Sequence, residues 1–205
     1  MISLMKSLDS SRLGRQSTEI KSDKALRIAI GFLGIALAPF TWLFAQLFGN
    51  VTLLPSISAY YHTNAEDFFV GVLFLVGVFQ MSYRGHQVID NVFTWITGIL
   101  ALLIALFPCS PDLNTNEIPC PDILSNGIGI FNLSPEVSDR IHLSVATSFF
   151  ILISVYLLVF FRRSKDTPSI EKKRKNLVFT VCGYGMISIL VVLFAMFSFN
   201  RDFFH

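Results

Sequence analysis

Five uninterrupted apolar runs, each of sixteen to twenty-four residues, dominate this 205-residue chain and leave it few folds to choose from. They are Ala25–Phe48, Phe68–Tyr83, Val92–Cys109, Ile141–Phe161 and Leu177–Ser198. At about 1.5 Å of rise per residue, such runs match a hydrocarbon core roughly 30 Å thick. The second and third are short and need a turn from their flanks or a nearly upright setting. None contains a turn cluster, and the period-two alternation of a membrane barrel strand is absent. Only 15% of the residues are charged, against about 25% in an ordinary soluble domain. The chain is therefore read as all-α, a polytopic membrane bundle of five transmembrane helices. A polar arm, 1–24, precedes a single transmembrane domain, 25–198, with a loop at 110–140 and a tail at 199–205.

The basic residues orient these spans. Fourteen of the sixteen Lys and Arg fall on one side: six between Lys6 and Arg27, Arg84, and seven between Arg162 and Lys175. Arg140 and Arg201 alone fall on the other. Translocation of basic residues is resisted, so the crowded side is cytoplasmic. This places the amino terminus inside, and the 110–140 loop and carboxyl end outside, in a plasma membrane of the bacterial inner-membrane type. Topology signalling accounts for the basic clusters, with contact to anionic lipid headgroups as the rival reading. Ala36-Leu37-Ala38 has the look of a signal-peptide cleavage site, but the apolar run continues to Phe48 and Pro39 would follow the cut. An uncleaved helix kinked at Pro39 fits better, with Gly31 and Gly34 open to close approach. The Ser-rich arm ahead of it is expected to be mobile.

The outer loop repeats a short pattern, Pro108-Cys109-Ser110-Pro111-Asp112 and Pro119-Cys120-Pro121-Asp122. Cys109 and Cys120 share the oxidising side, which predicts a disulfide. Ten intervening residues do not make a zinc-knuckle spacing. Cys182 lies within the last run and reads as packing. Two Asn-X-Ser/Thr triplets, at Asn50 and Asn132, are short patterns that arise readily by chance.

Reactive side chains gather at the outer ends of the second and fourth spans. The segment Pro55–Asp67 is too polar for hydrocarbon and too apolar for an open loop, which suits an interfacial or re-entrant segment with Tyr60 and Tyr61 at headgroup depth. If it is helical, Ser58, His62 and Glu66 share a face at i, i+4 spacing, with Asp67 beside them. Ser134-Pro135 reads as a cap and first turn, stacking Ser138, Asp139 and His142 on one stripe of the next helix. His62, Glu66, Asp139 and His142 then form a candidate zinc site. Ser58, His62, Asp67 and His142 form a candidate set for nucleophilic chemistry. The plainer alternative gives Asn64 a capping role and sets Glu66, Asp67, Glu136 and Asp139 against positive helix ends. His86, Asp90 and His205 read as surface residues.

The stretches Pro55–Thr63, Asp67-Phe68-Phe69-Val70-Gly71, Tyr83-Arg84-Gly85, Leu106-Phe107-Pro108, Ile141-His142 and Phe149-Phe150 resemble a group of small uncharacterised bacterial multipass proteins. That resemblance implies a membrane protein and no particular activity. More distantly, Ser58-X3-His62 is similar to the Ser-X3-His element of the membrane hydrolase superfamily of alkaline ceramidases and adiponectin receptors. There it joins an Asp and a late His-X3-His to bind zinc. The late pair has no counterpart here, because Ala146 stands four residues after His142, and the spans are fewer.

No Asp, Glu, Lys, Arg or His interrupts the middle of a run, as ion-coupled transport would ordinarily require. No phosphate loop or haem motif is present, and nucleic acid is not an expected partner. Two functions stand. The preferred one is a non-catalytic membrane subunit that meets the lipid bilayer or a membrane-protein partner. The alternative is a membrane-embedded, zinc-dependent hydrolase acting on a lipid substrate or headgroup at the outer leaflet.

Overall fold

The structure, a computed structural model, describes residues 2–84, 87–111, 127–160 and 170–199, with side chains from residue 25 to residue 196 of these. Among these residues five α-helices follow one another: α1 (Ile2–Gly49), α2 (Glu66–Ser82), α3 (Val88–Leu106), α4 (Pro135–Val155) and α5 (Ile170–Phe199). A 3-10 turn, Ser58–His62, precedes α2, and a π-helical turn, Tyr156–Phe160, continues α4. The all-α expectation holds.

Among the described residues, four helices are long and apolar enough to cross a membrane: Ala25–Gly49, Val88–Leu106, Pro135–Phe160 and Ile170–Met196. The remaining expected span, the second (Phe68–Tyr83), corresponds to α2, whose 17 residues reach about 25 Å. Each helix starts ahead of its apolar run, because a helix begins at its cap and a run where lipid does, whereas α3 stops at Leu106, three residues short of the expected Cys109. Thus α4 starts at Pro135, six residues before Ile141. The arm expected to be mobile is helical from Ile2 and continuous with α1. Once a helix is nucleated in the apolar span, each further residue adds a hydrogen bond without a new nucleation penalty.

The chain forms two compact units, 1–98 and 99–205. In the first, α2 returns antiparallel along α1. Near the Gly49 end of α1, Phe44 stacks on Phe68 with ring centroids 5.4 Å apart, and the Asn64 amide donates to the Phe48 carbonyl at 3.0 Å. Toward the other end, the Arg27 guanidinium lies 4.9 Å from the centre of the Tyr83 ring. Asn50, at φ 50°, turns the chain out of α1. The link then folds back so that Val51, Tyr60 and Ala65 bury against Ala45, with Leu54 packed alongside. The Leu54 N–H donates to the Tyr60 hydroxyl at 3.1 Å. Gly98 of α3 fits against α2 only because it lacks a side chain. A Cβ there would stand 2.6 Å from Met81 Cγ and 2.8 Å from the Gly77 carbonyl oxygen. Beside it the Gln80 amide donates to Thr97 Oγ1 at 2.8 Å.

In the second unit, the end of α3 meets the start of α4 through a short turn. Ile128 and Leu133 exchange two backbone hydrogen bonds, and Phe131 stacks on Phe107 at 5.2 Å. Gly129, at φ 69°, leaves room for Pro108, whose Cδ would lie 2.8 Å from a Cβ. At the far end of α4, Gly183 of α5 admits Leu158 in the same way, at 2.7 Å. Most of the large apolar side chains of α5, among them Val181, Ile189 and Phe194, are exposed, as expected of a helix that faces hydrocarbon.

Candidate functional site

The two groups of polar residues belong to different units: Ser58, His62, Glu66 and Asp67 to the first, Ser138, Asp139 and His142 to the second.

Around His62 the expected helical face does not form. Ser58–His62 is a 3-10 turn, and Thr63 is extended, at φ −126° and ψ 176°. With three residues per turn, positions four apart are rotated by about a third of a turn and do not stack. Ser58 and His62 therefore do not share the face that i, i+4 spacing requires, and α2 begins afresh at Glu66. The break has a local cause. Thr63 Oγ1 donates to the Tyr60 carbonyl at 2.8 Å and accepts the Ala65 N–H at 3.2 Å, so one hydroxyl ends one helix and begins the next.

Asn64, expected to cap α2, reaches back instead to α1 and satisfies the Phe48 carbonyl near its end. Glu66 and Asp67 do occupy the first turn of α2, where the helix dipole favours acids. Tyr60 and Tyr61 are buried inside the unit, at 3% and 8% exposure. The Tyr61 ring meets the His62 ring edge-on, and its hydroxyl pairs with the Glu66 carboxylate. Partial burial raises the Glu66 carboxyl above its ordinary value, the Asp67 charge adds to this, and the Tyr61 hydrogen bond opposes it. The Tyr61 hydroxyl is raised for the same reasons: burial first, then the neighbouring Glu66.

The stripe expected on α4 does form, and each of its three residues meets a backbone group. Ser138, fully buried, donates to the Pro108 carbonyl at 2.7 Å. His142, 6% exposed, meets the Phe107 carbonyl through Nδ1 at 2.7 Å. Asp139 accepts the Ser110 N–H at 3.0 Å. A carbonyl only accepts, so His142 Nδ1 carries a proton, and in the neutral ring Nε2 holds the lone pair. Phe107 and Pro108 lie just beyond α3, where carbonyls lack intrahelical partners. The first two turns of α4 thus supply side-chain caps to the end of α3. Ser134 sits at the cap position of α4 but makes no side-chain capping bond, while its carbonyl accepts the Val137 and Ser138 N–H groups.

Within either unit, no three His, Cys, Asp or Glu side chains among the described residues gather closely enough to hold a metal ion. No disulfide forms among the described residues, and Cys120 lies outside them, as do His86 and His205. Burial pushes the Cys109 thiol, beyond the end of α3, up to about 12, with the Asp139 charge adding to the effect.

Two partnerships escape a reading by residue type. Phe107 and Pro108 take part through backbone carbonyls, and the only signal was a proline ending an apolar run. Gln80 and Thr97 are separated by a chain reversal, so no local spacing joins them. No family model, curated protein or solved structure matches the chain.

Proposed function

We propose that this chain is a non-catalytic multipass membrane protein whose outer polar rim is structural. It would act by meeting the bilayer or a membrane-protein partner with the exposed apolar faces of its helices. The observation that carries this reading is the use of Ser138, Asp139 and His142. All three hold the backbone of residues 107–110, in the geometry of helix caps. The 3-10 turn, ending before Glu66, also denies Ser58, His62 and Glu66 the common α-helical face on which the nucleophile was argued. In this proposal α2 crosses the membrane with the other four helices, the amino terminus is cytoplasmic, and the membrane is the plasma membrane. The Cys109–Cys120 bridge belongs to it as well, and would form before the fold encloses the half-buried Cys109, since a thiol raised to about 12 offers little thiolate at neutral pH.

One observation favours the alternative, a zinc-dependent hydrolase that would use His62, Glu66, Asp139 and His142 as ligands or Ser58, His62, Asp67 and His142 in catalysis. The bond from His142 Nδ1 to a backbone carbonyl is the orientation that zinc-bound imidazoles commonly adopt.

Two substitutions separate the readings. Under the structural reading, His142→Ala lowers thermal stability in detergent by about 1–3 kcal/mol, through an unpaired buried carbonyl. His142→Asn, which supplies an N–H, recovers most of that, and added zinc changes neither. Zinc-dependent stabilisation or turnover of fluorescent ceramide and phospholipid by the native protein, abolished in both variants, would overturn it.

A further inference from the structure

The first turns of α5 place charge where a helix ordinarily avoids it. Lys172, Lys173, Arg174 and Lys175 follow one another at its amino-terminal end, with Glu171 as the sole acid of the first turn. The positive end of the helix dipole disfavours cations there. Glu171 offsets little of this, because it is engaged by Lys175 at 2.6 Å. Lys173 and Arg174 are exposed.

Length fixes the depth of these residues. The candidate span Ile170–Met196 has 27 residues, or about 40 Å of helix. Leu177–Met196 carries no charged residue and by itself fills a hydrocarbon core of roughly 30 Å. The remaining turns, Ile170–Asn176, extend for about 10 Å beyond it, into the headgroup layer. Four consecutive residues at 100° intervals also point around the helix and not to one side. Such a collar suits a surrounding layer of phosphates better than a single bound anion or a partner on one face.

We propose that the amino-terminal turns of α5 form a cationic collar that selects anionic phospholipids of the adjoining leaflet through their phosphodiester headgroups. Lys173, Arg174 and Lys175 are its exposed members, and Lys175 also engages Glu171. The helix dipole and the cations then act together on one negatively charged layer, which turns an unfavourable placement into a favourable one. The collar concerns whichever leaflet this end of α5 reaches, so a reversed topology, or an activity found elsewhere in the chain, leaves the test unchanged.

The test uses the full chain in vesicles of phosphatidylcholine containing phosphatidylglycerol, with spin-labelled versions of each lipid reporting which contacts the protein. The native protein is expected to prefer the anionic probe by about threefold or more at low salt, and to lose most of that preference in molar salt. The double variant Lys173→Gln/Arg174→Gln is expected to lose at least half of the preference, with orientation checked by cysteine labelling. Should the double variant fail to insert, the single substitutions and the native salt titration carry the decision. Millimolar inorganic phosphate is expected not to compete; if it does, a single soluble-anion site replaces the collar. Equal contact with both lipids in the native protein, or a preference untouched by salt and by the substitutions, overturns the proposal.

Discussion

His142 and Glu66 show how one type of environment, the polar edge of an apolar bundle, can put ionisable groups to different uses. His142 contributes a donor, and Nδ1–H persists whether or not Nε2 is protonated, so the bond to the Phe107 carbonyl is not a proton switch. Glu66 contributes a charge that its surroundings resist. It precedes the apolar run of α2, and burial holds its carboxyl above the ordinary value of 4.5. A raised carboxyl binds its proton more tightly in the folded than in the unfolded chain. Its contribution to stability is therefore complete below the unfolded value and is lost as pH rises through the folded one. Thermal melts between pH 4 and pH 8 should accordingly show a smaller loss on raising the pH for Glu66→Gln than for the native protein. The difference should be modest, because Glu66 is exposed to solvent in part. Identical pH profiles would remove Glu66 from the account.

At the scale of helices, the contacts depend on where side chains are missing. Gly98 lets α3 lie against Gly77 and Met81, and the obstacle to a Cβ includes a backbone oxygen that no rotamer change can move. A Cβ at Gly31 or Gly34 of α1 would meet nothing within 4 Å. Gly98→Ala is thus expected to destabilise by about 1–3 kcal/mol through overpacking. Gly31→Ala and Gly34→Ala should be neutral, or stabilising by up to about 1 kcal/mol through helix propensity. Chemical or thermal unfolding in one detergent decides between these outcomes. A loss at Gly31 or Gly34 equal to that at Gly98 would mean that α1 has a tight neighbour, such as a second protein, on that face.

For the whole molecule, the proposed topology turns on α2. Its 17 residues fall short of a comfortable span, but the residues that flank it, Asn64 and Tyr83, reach Phe48 and Arg27 near the two ends of the apolar part of α1. The charge pattern leads to the same proposal by a separate route. With α2 across, Arg84 and Lys172–Lys175 share the side of the amino-terminal arm; without it, they are translocated. Single cysteines at Arg84 and Lys172 should therefore resist a membrane-impermeant reagent in intact cells and react after lysis. Reaction of both before lysis would reverse the arrangement.

What the sequence determined by itself was the solvent and the period. Long apolar runs can be satisfied only by helices in lipid, because a helix meets its backbone hydrogen bonds internally. For the same reason the stripe Ser138–Asp139–His142 was legible, since a continuous helix makes spacing into geometry. The face expected of Ser58, His62 and Glu66 was not, because a threonine hydroxyl and a 3-10 turn broke the register between them. Tertiary structure alone decided what the polar groups bind. Asn64 serves α1 and not α2, and Ser138 and His142 serve carbonyls at the end of α3. A carbonyl is present at every residue, so its need for a partner can be read only where the fold leaves a helix end unpaired and brings a donor to it.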